Sequence, residues 1–178
     1  MSDESNPIVL LHREAGPPAV DPDALRQVMR RWVSGVAIVT SHHQGIRHGM
    51  TVNSFTSISL QPPAVIVTLE QTTRTHALVI ASGTFGVTIL SDKQQALSEC
   101  FSGQDCDQED RFAGLETHSL VSGAPLIAGG LAYLDCHVLA RYTTGNSTLF
   151  IAEVLAAQTG EHSPPLIYVN RHYRQLQD

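Results

Sequence analysis

The chain has 178 residues, 42% of them apolar and 16% charged, with a formal charge of −6. That length holds one domain with a substantial core, the balance is that of a globular protein, and the net acidity speaks against a role that depends on nucleic-acid phosphate contacts. No window is apolar for long enough to span a membrane, and the acidic, polar start at residues 1–6 lacks the basic and apolar regions of a signal peptide. Three cysteines without paired spacing fit reduced thiols, and so a cytoplasmic protein.

Residues 1–20 carry Pro7, Gly16, Pro17 and Pro18 with little periodicity and read as a loose arm ahead of a domain spanning 21–178. Asp21-Pro22 supplies the cap and first-turn residue types of a helix, and Leu25, Val28, Met29 and Trp32 recur at helical spacing along one face. Residues 36–40 form an apolar β-branched run, 42–48 a polar turn, and 49–60 a polar strand ended by Gln61-Pro62-Pro63. Residues 64–69 and 85–90 read as buried strands, with a helix over 76–82 between them that stops at Gly83. A further amphipathic helix is predicted over 92–101, and 102–125 reads mainly as loop anchored by Phe112 and Leu115. Two strands, 131–142 and 148–158, flank a turn at 143–147, and 166–169 closes the chain as a short strand. Many strands without regular crossover helices predict a mainly β fold, an antiparallel barrel with a few peripheral helices.

The polar strand is the unusual element. It reads Gly-Met-Thr-Val-Asn-Ser-Phe-Thr-Ser-Ile-Ser-Leu, with Thr51, Asn53, Ser57 and Ser59 on one parity and Ser54 and Thr56 among Met50, Val52 and Ile58 on the other. A half-buried strand keeps its polar groups on one face, and buried polar groups without partners cost about 1–3 kcal/mol each. The absence of charge points to a neutral, multiply hydrogen-bonding ring as guest; a Ser/Thr-rich surface strand fits the same residues. Thr72-Thr73-Arg74-Thr75 combines hydroxyls, a guanidinium and the free N–H groups of a helix start, which suits a phosphate. A capped helix with an outward Arg fits it equally.

Other chemistry finds no support. Nine histidines include His42, His43 and His48 near one hairpin, but there is no metal-binding pair on a helix and no Cys-x-x-Cys. Asp105, Asp107, Glu109 and Asp110 read as a solvated charged loop, and neither a nucleophile elbow nor a Gly-rich dinucleotide fingerprint is present. No metal is expected.

Taken in order, the segments LRQVMRRWVSGVAIVT, HGMTVNSFTSISLQPP, TRTHAL, SGTFGVTIL, DRFAG, GAPLIAGGLAYLDC, TLFIAEV and LIYVNRHY resemble the short-chain flavin reductase family over about residues 23–176. These are the small reductase partners of two-component flavin-dependent monooxygenases. The resemblance implies an FMN-binding split barrel that forms a homodimer, binds FMN or FAD, takes hydride from NADH or NADPH, and supplies reduced flavin to a separate oxygenase. Carried over by position, the flavin contacts fall on His48, Gly49, Met50, Thr51, Asn53, Ser54, Phe55 and Thr56. Thr68, Leu69 and Glu70 would line the ring and ribityl side, and Thr73, Arg74 and Thr75 would hold phosphate. Phe112 and Tyr173 match aromatic positions near flavin or nicotinamide. Such a reaction needs no catalytic acid, base or nucleophile, because the cofactors carry the chemistry. Members usually have Gly-Asp-His where this chain has Gly145-Asn146-Ser147, in a region facing flavin and nicotinamide. That departure leaves the hydride donor open, and with it the alternatives of a flavin-binding electron carrier or a ferric reductase.

Overall fold

The computed structural model describes residues 19–103 and 110–176. The arm read at residues 1–20 lies, apart from residues 19 and 20, outside the described residues, as do Asp105, Cys106, Asp107 and Glu109. Helix α1 (Pro22–Met29) leads into strands β1 (Ser34–Gly35), β2 (Ala37–His43), β3 (Ile46–Val52), β4 (Thr56–Leu60) and β5 (Pro63–Glu70). Helix α2 (Arg74–Ser82), β6 (Thr84–Ile89), a 3-10 turn (Asp92–Gln94) and α3 (Gln95–Phe101) follow. The remainder is β7 (Thr117–His118), β8 (Leu126–Ile127), β9 (Ala132–Thr144), β10 (Ser147–Thr159), β11 (Ile167–Val169) and β12 (His172–Arg174). No described helix is long and apolar enough to cross a membrane.

Seven strands form one antiparallel sheet in the order β3-β2-β6-β9-β10-β5-β4. Its two edges, β3 and β4, are consecutive in the chain and joined only by residues 53–55. Laid flat, seven strands at normal spacing would separate those edges by about 29 Å. The chain from Val52 to Thr56 reaches at most about 14 Å. The sheet must therefore roll until its edges approach. Inside the roll lies a core that includes Val39, Val52, Val67, Leu69, Phe85 and Phe150, all buried. Val36 and Ile38, of opposite parity to Ala37 and Val39, point to a second cluster with Leu90, Phe101, Phe112 and Leu166. Both faces of β2 are thus buried, as its unbroken apolar run requires.

Several expectations change in detail. The predicted polar turn at 42–48 is a tight hairpin, with β2 and β3 running up to Gln44 and Gly45, both at positive φ (49° and 79°). That is the turn geometry that matches strand twist. The predicted strand at 49–60 is two strands at opposite edges, broken at 53–55. Its mixed parity follows from that break. Within β3, Met50 and Val52 pack on the inner core while Thr51 faces α3. On β4, Thr56, Ser57 and Ile58 are exposed and need no guest to satisfy them. Helix α1 begins as predicted, with the Asp21 carboxylate accepting from the N–H groups of Asp23 and Ala24. It ends before Trp32, however, and buries none of its residues. The loop expected at 102–125 contains β7, which pairs with β8 just beyond it, and holds Phe112 at 2% exposure. Cys136 is a free, buried thiol, but Cys100 is disulfide-bonded, which corrects the expectation of three reduced thiols.

Gly49 allows β3 to pass close to Phe101. A Cβ there would lie 2.8 Å from Phe101 Cε1 and 3.1 Å from Thr40 Cγ2, and both of those residues are fully buried. Gly49→Ala is expected to destabilise the fold by about 1–3 kcal/mol, the usual range for overpacking. Denaturant unfolding at unchanged m-value measures it.

Candidate functional site

Strand β3 is the spine of the site. From His48 to Asn53, one residue past its end, the chain takes five residue steps, about 17 Å at strand rise, and a cavity opens near each end. At the His48 end, about 520 Å³ is lined by Arg47, His48, Arg74, Asp110, Arg111 and Phe112, among others. At the Asn53 end, about 300 Å³ is lined by Thr51, Asn53, Ser102, Tyr168, Arg171 and Tyr173, together with Val36 and Val52. A third cavity, about 520 Å³, shares Asn53 and continues along Ser54, Phe55 and Thr56 to Trp32 and Val33. The seam forced by the rolled sheet is therefore also where two of the three cavities meet.

The polar groups at the seam are largely satisfied by the protein. The Thr51 hydroxyl donates to the Ser98 carbonyl at 2.6 Å, and the Ser98 hydroxyl meets the Tyr173 hydroxyl at 2.8 Å. Ser98 thereby ties β3 to β12 through α3. Burial, then the nearby Glu99 and Tyr168, raise the Tyr173 phenol above its ordinary pKa, against a lowering from the Ser98 hydrogen bond. The Ser54 hydroxyl donates to the Thr68 carbonyl at 2.9 Å and accepts from the Thr68 N–H at 3.2 Å, which pins the break to β5. Asn53 is exposed and lines two cavities.

At the other end, Thr73 caps α2, accepting from the His76 N–H at 3.2 Å and donating to the Glu70 carbonyl at 2.8 Å. The buried Thr75 hydroxyl meets His48 Nδ1 at 2.9 Å. Both hydroxyls expected at phosphate are thus engaged within the protein, while exposed Arg74 lines the cavity. Burial lowers the His48 pKa first, and the positive charges of Arg111 and Arg74 lower it further. His48 is accordingly neutral near pH 7, with a cationic field on one side.

The structure sorts the sequence-predicted residues into groups. His48, Arg74 and Phe112 share the first cavity; Thr51, Asn53 and Tyr173 the second; Asn53, Ser54, Phe55 and Thr56 the third. Gly49, Met50, Thr68, Leu69, Glu70, Thr73 and Thr75 line none of these three and support them from behind; Leu69 lies wholly in the inner core. Asn146 and Ser147 also stand apart. Asn146 Nδ2 donates to Glu70 Oε1 at 3.3 Å and its carbonyl accepts from the Gln71 N–H at 2.9 Å. Sequence reasoning missed Arg47, Arg111, Trp32 and Arg171. Arg111 lay in plain view in Asp-Arg-Phe-Ala-Gly, but nothing local tied that segment to β3.

A rolled antiparallel sheet that carries, along one strand, a pocket lined mainly by hydroxyl and amide groups with Arg171 among them and a cavity lined by three arginines fits a ring-bearing phosphate cofactor. The comparisons with known proteins agree, and residues 29–177 match the model of the flavin reductase like domain. The chain belongs to that family. It is 33% identical over 159 residues to the actinorhodin polyketide dimerase of Streptomyces coelicolor, covering 89% of this chain and 88% of that protein. It is 36% identical over 152 residues to the reductase component of the 4-nitrophenol 4-monooxygenase/4-nitrocatechol 2-monooxygenase of Rhodococcus opacus, covering 85% and 80%. The NADH:FAD oxidoreductase SgcE6 of Streptomyces globisporus, solved with NAD and FAD fragments, superposes with a TM-score of 0.80 at 32% identity, covering 90% of this chain and 98% of that one.

The lowered His48 pKa carries a sign that can be measured. Below its ordinary value of 6.5 the unfolded chain takes up the proton before the folded one, so stability falls with pH until the folded pKa is reached. His76, also lowered, by burial and then by Arg141, acts in the same direction. Unfolding at pH 7.5 and 5.5 is expected to show a smaller acid loss in His48→Gln than in wild type, with the remainder reduced by adding His76→Gln.

Proposed function

We propose that this protein is an NAD(P)H:flavin oxidoreductase that reduces FMN or FAD and passes the reduced flavin to a separate oxygenase. The observation that supports the reading is the placement along β3, within one ligand length, of a cavity lined mainly by hydroxyl and amide groups, with Arg171 among them, and of a cavity lined by Arg47, Arg74 and Arg111. Residues at both ends fit a flavin. Asn53 offers neutral donors and an acceptor to a ring's polar edge, Thr51, whose proton goes to Ser98, an acceptor only, and Arg74 a guanidinium to a phosphate. Gly49, Met50, Ser54, Phe55, Thr56, Thr68, Leu69, Glu70, Thr73 and Thr75 complete the cofactor site by shaping the strand, seam and helix start that present those groups. When bound, the flavin supplies the hydride-accepting chemistry, so the reaction needs no acid–base pair or nucleophile from the protein. The protein's part is orientation. Tyr173, held by Ser98, walls the cavity at the Asn53 end and Phe112 the one at the His48 end, so that one of the two aromatics flanks an approaching nicotinamide, with Asn146 and Ser147 acting through Glu70. We place the protein in the cytoplasm on the strength of its nucleotide substrates rather than its cysteines.

The departure from the family's Asp-His at Asn146-Ser147 favours one rival, a protein that binds flavin without efficient nicotinamide turnover. Purified protein assayed with NADH or NADPH against FMN or FAD separates the two. Flavin-dependent loss of nicotinamide absorbance is expected with at least one pairing. Tight flavin binding with no turnover in all four would replace the oxidoreductase by the carrier.

The protein is proposed to act as a homodimer. Leu25, Val28, Met29, Trp32 and Val33 are each more than half exposed in the single chain, an apolar run that a monomer rarely leaves to water. A second copy covering it would also wall the cavity that Trp32 shares with Thr56. Light scattering is expected to give twice 19.3 kDa, and dilution to a monomer should red-shift emission from Trp32, the only tryptophan.

A further inference from the structure

The cavity at the Asn53 end contains one group that a neutral ring does not require. Amide, hydroxyl and phenol groups make up most of its polar wall, and Arg171 is the one charged side chain among the described residues that line it. Its guanidinium has no ion-pair or hydrogen-bond partner among the described residues.

The backbone that carries Arg171 is held in a disfavoured conformation. Asn170 and Arg171 are the two central residues of the turn between β11 and β12, at φ 50° and 62°. A two-residue turn with both central residues at positive φ favours Asn followed by Gly. Asn170 fits that preference, but Arg171 stands where glycine would escape the clash of a Cβ. Strain of this kind persists only where the surroundings over-determine it. Here the Asn170 N–H donates to the Arg30 carbonyl at 3.0 Å, His172 Nδ1 donates to the Asn170 carbonyl at 2.7 Å, and Tyr168 pairs with Tyr173 across the hairpin. Tyr173 ties the hairpin to β3 through Ser98. Glycine would close the same turn without strain, so what arginine adds comes from its side chain, and that side chain lines the cavity beside Asn53.

We propose that Arg171 makes this site selective for the oxidation state of the flavin, holding the reduced ring more tightly than the oxidised one. The inference rests on the reading of Asn53 as partner of the ring's polar edge. Hydride transfer carries two electrons and one proton from the nicotinamide to the ring. The nicotinamide leaves oxidised, and a ring that was neutral now holds one negative charge, spread over its polar edge. A cation already in place where charge develops stabilises the charged form without having to reorganise. Arg171 is exposed, so water and salt screen it and the preference is moderate.

Dissociation constants for oxidised FMN, and for FMN reduced with dithionite without oxygen at mildly alkaline pH, are measured for wild type, Arg171→Gln and Arg171→Gly. Both variants are expected to weaken reduced FMN roughly fivefold, the upper range for an exposed ion pair, while oxidised FMN stays within about twofold of wild type. Arg171→Gly also relieves the turn and is expected to unfold no earlier than wild type, which keeps the test decisive should Arg171→Gln melt early. Equal losses for the two oxidation states would make Arg171 an ordinary contact and overturn the proposal, as would indifference of reduced FMN to both variants. Failure of the underlying reading looks different: Asn53→Ala would leave the affinity for oxidised riboflavin unchanged, the ring would lie elsewhere, and the inference would fall with it.

Discussion

Three residues, 53–55, join opposite edges of a seven-stranded sheet, and most of the molecule follows from that short link. It forces the sheet to roll, since the reach of the chain is about half the width of the flat sheet. The roll encloses one core and leaves β3 without a strand partner on its outer side. An unpaired edge is a liability that folds must cover. Here α3, the segment carrying Arg111 and Phe112, and β12 gather along it: Thr51 bonds to Ser98, Ser98 to Tyr173, and Arg111 to the Gly49 carbonyl. The cavities are the gaps that this incomplete covering leaves, so the site is a by-product of closing the sheet with too few residues.

The chemistry of those gaps differs from end to end because their walls come from different elements. At the Asn53 end the wall is mainly hydroxyl and amide, anchored by Ser98 and Ser54, with the single guanidinium of Arg171. At the His48 end, α2 contributes Arg74, the hairpin Arg47 and the segment after residue 109 Arg111. The last two are far apart in sequence yet stack on the same ring or meet the same strand. Neutral His48 sits between the two chemistries, bonded to Thr75. An anionic tail meets more arginines at the His48 end than at the Asn53 end.

How far the sequence could be read follows the range of the interactions concerned. The α1 cap, the stop at Gly83, the two long strands and the buried run of β2 are local signals, and each is where its residues put it. The polar segment was legible as an anomaly but not as a seam. Alternation breaks in the same way whether a strand binds a guest or ends and restarts at the far edge. Only the sheet order distinguishes the two, and that depends on pairings such as Thr56 with Ile66 and Thr51 with Ile38. Ser54 shows the limit most sharply. Its hydroxyl was a candidate ligand contact, and it is used by the backbone of Thr68. Arg47 and Arg111 were illegible for the complementary reason: their partners, Asp110, Phe112 and Gly49, lie across the fold.

The turn at Gly145 bears on the site by a route the sequence did not suggest. Asn146 holds the Glu70 carboxylate and the Gln71 N–H, and Ser147 pairs with Glu70 across the sheet. Glu70 in turn presents the carbonyl to which the Thr73 cap donates, and Thr73 sets the first turn of the helix that carries Arg74. The Asn-Ser pair is thus two contacts removed from the guanidinium and lines none of the cavities along β3. A departure from the family pattern at this position acts first on the strand end and loop that position Arg74. Its influence on the hydride donor, which the sequence placed there directly, has to pass through Glu70.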